Sequence, residues 1–331
     1  MVLMESRNAR KGSGCQWEEV DVLQVLLMLM FAVVTLAPAG ARAEKPKPAE
    51  KPMAIEPLIS KDTRLMVFSP HPDDESLGAA GLIQRVIETG GSVKVVFMTN
   101  GDGFPEAVEM GGHISNPTAK DFREYGEDRM YESLKALAML GMKESNVIFL
   151  RFPDGGLTAL RSKPSGKAER YTSPTTRENR PSALSVIEPQ AGYTGEGLQM
   201  EIERVLSDFR PNMLATSAPE DTHPDHASTH YFVKQAWKHL NKEHPEFKPT
   251  WLIYLVHYGE WPLAQGAGSG SKLNPPEDHP HKEKWIPLSL TPEEVAAKRK
   301  ALLEYQTQMI VMGRYMLSFA RSNELFRLDN Q

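Results

Sequence analysis

Short apolar runs alternate with helical patterns along most of the chain. Five apolar runs predict buried strands, at Arg64–Ser69, Val93–Thr99, Val147–Leu150, Met213–Thr216 and Trp251–Val256. Apolar residues at helical spacing predict helices at Leu77–Thr89, Phe122–Leu140, Leu198–Phe209, Ala227–Leu240 and, for the most part, Thr291–Phe326. Strands separated by helices are typical of right-handed βαβ units. The pattern therefore predicts a Rossmann-like, three-layer α/β/α fold with a mainly parallel sheet.

An uncharged apolar run, Val22–Leu36, precedes this alternating region. Its fifteen residues are short for a membrane-spanning helix, which needs about 20, and typical of the core of a signal peptide. Ala41-Arg42-Ala43 follows as an A-x-A cleavage pattern. We therefore expect residues 1–43 to be a signal peptide, or an uncleaved anchor, of an exported protein, periplasmic or secreted. Because acidic residues directly precede the run, an over-assigned start is an alternative.

Composition divides the rest of the chain into a linker, one domain and two long loops. Residues 44–60 begin with a Pro/Lys/Glu-rich stretch and predict an extended linker, and residues 61–331 predict a single domain. Arg161–Gly192 and Gln265–Trp285 are polar and rich in Pro, Gly or Ser, which predicts loops that are functional or disordered. No pattern in these loops predicts a structure or a role.

Charge and cysteine content exclude several classes of function. With 38 Lys+Arg against 43 Asp+Glu, the net charge of −5 argues against a nucleic-acid partner. A single cysteine, Cys15, excludes an internal disulfide framework and a Cys-rich metal site. Cleavage after Ala43 would remove this cysteine, which suits an oxidising compartment. Ten histidines remain as candidates for chemistry.

The first candidate site, His71-Pro72-Asp73-Asp74-Glu75, directly follows the first predicted strand. Ligands of open α/β sheets bind beyond the carboxyl ends of the strands. Burying these carboxylates unpaired is unfavourable, and a divalent cation such as zinc, which takes His nitrogen and carboxylate oxygen, offsets that penalty. The alternative is a solvated turn, since acidic residues also favour helix N-termini.

A second group of such residues follows the fourth predicted strand and strengthens the metal interpretation. His223 and His226 are three residues apart at the start of a predicted helix, so that both imidazoles can face one point. A catalytic zinc takes three protein ligands and keeps one position open, and the two groups together offer enough ligands. The two motifs therefore predict a metal-dependent hydrolase.

Pro70–Glu75 and His223–His226 together resemble the LmbE/PIG-L family of zinc-dependent N-deacetylases. The family includes enzymes that remove acetyl from N-acetylglucosaminyl conjugates. The resemblance extends from about Arg64 to Phe326 through weaker matches. These are Thr99–Asp102, Arg129 with Glu132 and Leu140-Gly141, Pro153–Gly155, Arg210-Pro211, and Lys298, Tyr305 and Gln308.

The resemblance implies a role for each residue of the two motifs. The implied zinc ligands, with Fe²⁺ or Mn²⁺ as alternative metals, are His71, Asp74 and His226. Asp73 is implied to be the general base. His223 is implied to stabilise the oxyanion and to help protonate the leaving amine, with Asp225 orienting its imidazole. Spacing alone does not decide which of the two adjacent aspartates binds the metal.

Three further residues are candidates for substrate binding. The resemblance implies that Arg129 faces polar or anionic groups and that Asp154 faces sugar hydroxyls. Their alternatives are a surface salt-bridge partner and a turn residue. Tyr193, at the end of the first polar loop, is a candidate for gating or binding substrate. The remaining histidines of interest are expected in loops or at the surface: His257, His279 and His281.

Taken together, the sequence predicts an exported metal hydrolase that removes acetyl from an N-acetylglucosamine-type or other amino-sugar conjugate. One alternative is an amidase acting on another N-acylated amine or on a thiol-sugar conjugate. Another is a non-catalytic sugar-binding module on the same scaffold. The expected partner is a small-molecule or glycoconjugate substrate, and membrane contact is expected only through the N-terminal anchor.

Overall fold

The structure, a computed structural model, describes residues 54–162, 170–182, 192–262 and 270–329. The predicted signal peptide and residues 44–53 of the predicted linker lie outside these ranges. The last part of that linker packs onto the domain, since Ile55 is fully buried and Glu56–Leu58 forms one turn of 3-10 helix. Among the helices in the described ranges, none has the length and apolar character needed to cross a membrane.

Seven strands of the described residues form one sheet, in the order β3-β2-β1-β4-β5-β7-β6. Strands β1 to β5 pair in parallel, and β6 and β7 add an antiparallel edge. Their bounds are β1 Arg64–Ser69, β2 Ser92–Thr99, β3 Val147–Phe152, β4 Met213–Ser217, β5 Thr250–Tyr254, β6 Ile286–Ser289 and β7 Asn323–Leu328. The predicted mainly parallel α/β sheet is confirmed.

Helices cover both faces of the sheet. They are α1 Asp74–Glu88, α2 Pro105–Gly112, α3 Ala119–Met139, α4 Leu157–Ser162, α5 Gly195–Phe209, α6 Pro224–Glu243, α7 Pro292–Glu304 and α8 Gln306–Leu317. Leu65 and Val67 of β1 belong to one apolar core with α1, α3 and α7, whereas Met66 and Phe68 belong to another with α5 and α6. Strand β1 is thus buried on both faces, as its continuous apolar run predicts, and the fold has three layers.

The C-terminal region differs from its prediction. The helical pattern holds as far as Leu317, but Asn323–Leu328 is strand β7 rather than helix. Strand β7 forms because it pairs with both β5 and β6, and because the Glu324 side chain accepts hydrogen bonds from the N–H groups of Gly81 and Leu82 in α1. These partners are distant in sequence, so local periodicity did not reveal them. Helices α2 and α4 and strand β6 were also not predicted.

The strand order explains where a site can form. Strand β1 lies between β2 and β4, so the chain turns to opposite sides of the sheet after β1 and after β4. The register pairs Leu65 with Met213 and Val67 with Ala215, which brings the carboxyl ends of β1 and β4 side by side. Loops that diverge at such a point leave a crevice between them. Both histidine motifs begin there.

Candidate active site

The loop after β1 carries a strained residue at its centre. Asp73 precedes α1 with φ 134°, a region that residues other than glycine rarely adopt. Its carbonyl accepts hydrogen bonds from Ser76 and Leu77, and its N–H donates to Oε2 of the fully buried Glu75 at 3.2 Å. Glu75 in turn accepts hydrogen bonds from the hydroxyls of Ser69, Ser76 and Tyr305. This network supports the unusual backbone of Asp73.

The three predicted metal ligands converge on one point. Asp74 Oδ2 lies 3.1 Å from His71 Nδ1 and 3.1 Å from His226 Nε2, and the two nitrogens are 3.3 Å apart. All three side chains are buried. Such close approach of buried acceptor atoms requires a positive charge between them, as a proton or a metal ion. Two imidazole nitrogens and one carboxylate oxygen form a donor set that fits a catalytic zinc.

Carboxylates also contact the far side of each imidazole. His226 Nδ1 lies 3.1 Å from Asp221 Oδ2. His71 Nε2 lies 3.1 Å from Asp154 Oδ1 and 3.5 Å from Asp225 Oδ2, within ion-pair range but without hydrogen-bond alignment. A carboxylate behind a ligating histidine orients the ring and makes it a stronger ligand. The structure thus gives Asp221, Asp154 and Asp225 supporting positions.

The pKa values follow from these contacts. Burial pushes the pKa of Asp74 upward, but His226 and His71 hold it well below its usual value. Burial pushes the pKa of His226 downward, but Asp221 and Asp74 raise it to about 10. The pKa of His71 is likewise raised well above its usual value, by Asp154 against the effect of burial. The carboxylates therefore favour positive charge at the centre of the cluster, and a divalent cation would supply it.

Arg129 holds the candidate base, Asp73, in place. Arg129 Nη2 lies 3.2 Å from Asp73 Oδ2 and donates to the carbonyl of Pro72 at 2.6 Å, while Nη1 donates to the carbonyl of Gly101 at 2.8 Å. Burial raises the pKa of Asp73 to about 8, with Arg129 opposing and Asp74 adding to the rise. Arg129 is 4% exposed, so its alternative interpretation as a surface residue is wrong.

His223 and Asp225 lie at the start of α6 beside the ligands. The His223 ring is edge-on to His71 with centroids 4.7 Å apart, and burial together with His71 and His226 lowers its pKa to about 3. Its Nδ1 accepts a hydrogen bond from the backbone N–H of Asp225 at 3.3 Å. The Asp225 carboxylate accepts instead from the N–H groups of Gly155 and Leu157. The Asp225 carboxylate therefore does not orient the His223 ring as predicted. From the first turn of α6 this side chain reaches the loop after β3 instead.

Of the other two substrate candidates, the structure brings only Asp154 to the cavity. Asp154 accepts from the N–H of Gly103 at 2.7 Å, and His71 keeps its pKa below the usual value although burial opposes this. Tyr193 is 3% exposed and packs against Phe152 in the core, and its hydroxyl donates to the carbonyl of Arg151. The expectation that Tyr193 gates or binds the substrate is therefore wrong, because its ring fills the core and its hydroxyl hydrogen is already bonded to Arg151.

His257 lies in the loop after β5, as predicted, but its ring is partly buried within the site rather than exposed at the surface. Its ring centroid lies 4.8 Å from that of His226 and 5.5 Å from that of His223, and it stacks on Tyr315. Burial, with His226 adding to the effect, lowers its pKa to about 4. The signal that could have found it was position, because His257 follows a predicted strand just as the two histidine motifs do.

A cavity of about 320 Å³ opens over these side chains. Its polar lining includes His71, Asp73, Asp74, Gly103, Arg129, Asp154, Gly155, His223, His257 and Gln308, and its apolar lining is Leu77, Phe104, Met312 and Tyr315. A larger cavity of about 590 Å³, between Thr222, Tyr258–Pro262, Lys272–Asp278 and Arg321, contains none of the converging histidines. The chemistry therefore points to the smaller cavity as the reaction site.

These features define an α/β protein with two histidines and one aspartate in a candidate cation site at the carboxyl edge of a parallel sheet. Residues 66–237, about half of the chain, match the profile of the PIG-L family, described as GlcNAc-PI de-N-acetylase. The chain belongs to this family. The match covers both histidine motifs, while His257 lies beyond it.

Several relatives carry the name 1D-myo-inositol 2-acetamido-2-deoxy-alpha-D-glucopyranoside deacetylase. One from Mycobacterium sp. (strain KMS) is 27% identical over 71% of this chain, which spans 65% of that relative's length. One from Nakamurella multipartita is 31% identical over 52% of this chain and 54% of its own length. The solved N,N'-diacetylchitobiose deacetylase from Pyrococcus horikoshii aligns with a TM-score of 0.49 and 15% identity, over 81% of this chain and 84% of its own.

Proposed function

We propose that the protein is a metal-dependent N-deacetylase acting on an N-acetylglucosamine-type conjugate. The observation that carries the proposal is the convergence of His71, Asp74 and His226 beside Asp73 at the base of an open cavity. Membership of the PIG-L family and the names of the relatives support the reaction and the class of substrate.

His71, Asp74 and His226 are the residues that would hold the metal, which we propose to be Zn²⁺, with Fe²⁺ or Mn²⁺ as alternatives for the same donors. A zinc ion bound there would supply Lewis-acid chemistry, polarising a carbonyl group and lowering the pKa of water to near neutral. Asp221 and Asp154 keep the two imidazoles oriented toward the metal position.

Asp73 accepts the proton of the attacking water at its carboxylate. Burial raises the pKa of Asp73 above its ordinary value, which makes the ionised carboxylate a stronger base, and Arg129, 3.2 Å from Oδ2, holds it in place. Burial within the cavity keeps bulk water from competing for this proton.

His223 acts on the other side of the amide. Since its Nδ1 accepts from Asp225 N–H, the proton of the neutral ring is on Nε2. That N–H stabilises negative charge on the carbonyl oxygen and helps to direct a proton to the leaving nitrogen. The proton that reaches the nitrogen is the one that Asp73 took from water, so the imidazole keeps its own proton. The reaction balances: amide and water give acetate and a protonated amine.

The cavity matches one amino sugar that extends toward solvent. Asp154 and Arg129 offer polar contacts, while Leu77, Met312 and Tyr315 line an apolar side. Because the open cavity holds no more than a small molecule, the rest of a glycoconjugate would project outward. We also propose that residues 1–43 direct export of the protein.

The test combines metal analysis with measurement of acetate and free amine. The full-length protein is expected to release both in equal amounts from N-acetylglucosamine conjugates, to lose activity on chelation and to regain it with Zn²⁺. Asp73→Asn should abolish turnover while sugar binding remains. Sugar binding with no turnover in the wild type would support a non-catalytic module instead. Equal rates on acylated amines without a sugar would support the amidase alternative.

A further inference from the structure

His257 has a position that the proposed mechanism does not use. It follows β5 outside the matched family region, lines the reaction cavity and places a ring nitrogen within 4.8 Å of the ligand atoms of Asp74 and His226. These atoms are close enough to share a metal ion, but those of His71, Asp74 and His226 lie closer together, 3.1–3.3 Å apart, and are the set proposed to hold it. His257 is therefore placed beside the metal position, facing the space that a substrate enters.

The hydrogen bonds around His257 determine which of its nitrogens carries the proton. Tyr315 donates its single hydroxyl hydrogen to the carbonyl of Val256 at 2.6 Å. The same hydroxyl oxygen lies 3.2 Å from His257 Nδ1. With its hydrogen used, the oxygen can only accept, so Nδ1 must be the donor. The neutral ring is thereby held as the Nδ1–H tautomer, which leaves a lone pair on Nε2.

The backbone of the same residue is fixed independently. The His257 N–H donates to Asp221 Oδ2 at 2.9 Å, and its carbonyl accepts from the N–H of Thr222 at 2.9 Å. The ring also stacks on Tyr315 at an interplanar angle of 8°. Within the described residues, Nε2 has no hydrogen-bond partner of its own. A rigidly held acceptor with no protein partner, in the wall of a reaction cavity, is available to a donor on the substrate.

We propose that His257 Nε2 accepts a hydrogen bond from the N–H of the scissile amide, and that Tyr315 fixes the tautomer that makes this possible. The inference rests on the proposed amide hydrolysis. Asp73 and His223 serve the water and the carbonyl oxygen, so the N–H is the one polar group of a secondary amide that still lacks a partner. His257 is thus a specificity-determining residue, which selects amides over esters because an ester has no hydrogen at this position.

The first experiment compares two substrates on the zinc-loaded full-length protein. Glucose acetylated on its 2-amino group is compared with glucose acetylated on its 2-hydroxyl group. His257→Phe keeps the stacking on Tyr315 but removes the acceptor, and should lower the amide-to-ester ratio of kcat/KM about tenfold, the effect of one net hydrogen bond. His257→Gln, which retains an acceptor oxygen, should recover part of the ratio. The control, His239→Phe, makes the same change at an exposed site on α6. Equal losses on both substrates, with metal content retained, would overturn the proposal.

The second experiment determines the tautomer of His257 by a measurement that does not depend on turnover. Nitrogen NMR of the ¹⁵N-histidine-labelled, zinc-loaded protein should show His257 protonated at Nδ1, with the signal assigned by its loss in His257→Phe. Tyr315→Phe should shift the ring toward the Nε2–H form and lower the amide-to-ester ratio. An Nε2–H ring in the wild type would overturn the inference. A wild type with this tautomer but no amide hydrolysis would instead overturn the proposed function and the substrate contact that depends on it.

Discussion

Two buried charged clusters contact α1, one at its first residue, Asp74, and the other at Leu77, Gly81 and Leu82, and they serve different purposes. Lys298 Nζ donates to Glu324 Oε1 and to the carbonyl of Leu77, both at 2.8 Å, and Glu324 accepts two N–H groups of α1. Opposite charges meet there and the hydrogen-bonding groups are matched. Around Asp74, by contrast, acceptor atoms of two imidazoles and a carboxylate face one another. A buried cluster that is complete in itself stabilises the fold, whereas one that lacks a cation indicates a binding site.

The largest expected effect comes from substituting the adjacent residues Asp73 and Asp74, because these substitutions test whether their cluster binds a metal. Asp74→Asn removes a ligand charge and should abolish metal binding and acetate release together. Asp73→Asn should retain the metal and lower kcat by at least about 100-fold, as expected when a general base is lost. Metal analysis and an acetate assay check both variants. Loss of metal in Asp73→Asn, with retention in Asp74→Asn, would exchange the two roles.

The Glu324 cluster should respond in stability rather than in metal binding. Glu324→Leu leaves the buried Lys298 without its partner and should lower the free energy of unfolding by about 3–5 kcal/mol. Glu304→Gln, which breaks the partly exposed 3.7 Å pair with Lys135, should change it by at most about 1 kcal/mol. Denaturant unfolding measures both. Similar values for the two variants would contradict the assigned importance of the buried pair.

Arg129 tests whether a buried residue that is held mainly by hydrogen bonds within the protein also contributes to catalysis. Its guanidinium ties Asp73 to the carbonyls of Pro72 and Gly101, so Arg129→Met should misplace the base and lower kcat by about 100-fold, the lower end of one acid–base contribution. Metal content should stay near one ion per chain. If only KM rose and kcat were unchanged, Arg129 would be a substrate contact, as the family resemblance implies.

The last expected effect, which is confined to acidic pH, is a pH dependence of stability from His230, one turn beyond His226 on α6. Burial lowers the pKa of His230 to about 4, while its unfolded value is near 6.5. The unfolded chain therefore binds more protons between these values, and this contribution to stability is present above pH 6.5 and lost as the pH falls toward 4. His230→Asn should flatten the unfolding free energy over that range relative to the wild type. Parallel curves for the two proteins would contradict the assignment.

Patterns that are local in sequence predicted most of the fold and the centre of the site. Strands β1 to β5 follow from continuous apolar runs, and the two motifs follow from polar residues placed directly after β1 and β4. The assignment of His71, Asp74 and His226 as ligands came from the family resemblance, and the structure brings these three side chains together.

What the sequence did not predict depends on partners that are distant along the chain. Strand β7 forms by pairing with β5 and β6, and the ring of His257 is held at the site by stacking on Tyr315 of α8. Tyr193 looked available because it ends a polar loop, but its ring completes the core beside Phe152. The target of the Asp225 carboxylate, the loop after β3, lies 68–70 residues away.

The backbone conformation of Asp73 is unfavourable for stability, although its side chain is the proposed base of the reaction. A residue with a side chain at φ 134° costs of order 1–3 kcal/mol, whereas glycine adopts positive φ readily. Glycine would relieve this strain but would remove both the base and the carboxylate partner of the buried Arg129. The loop after β1 thus keeps an unfavourable backbone conformation that places a carboxylate beside the metal position.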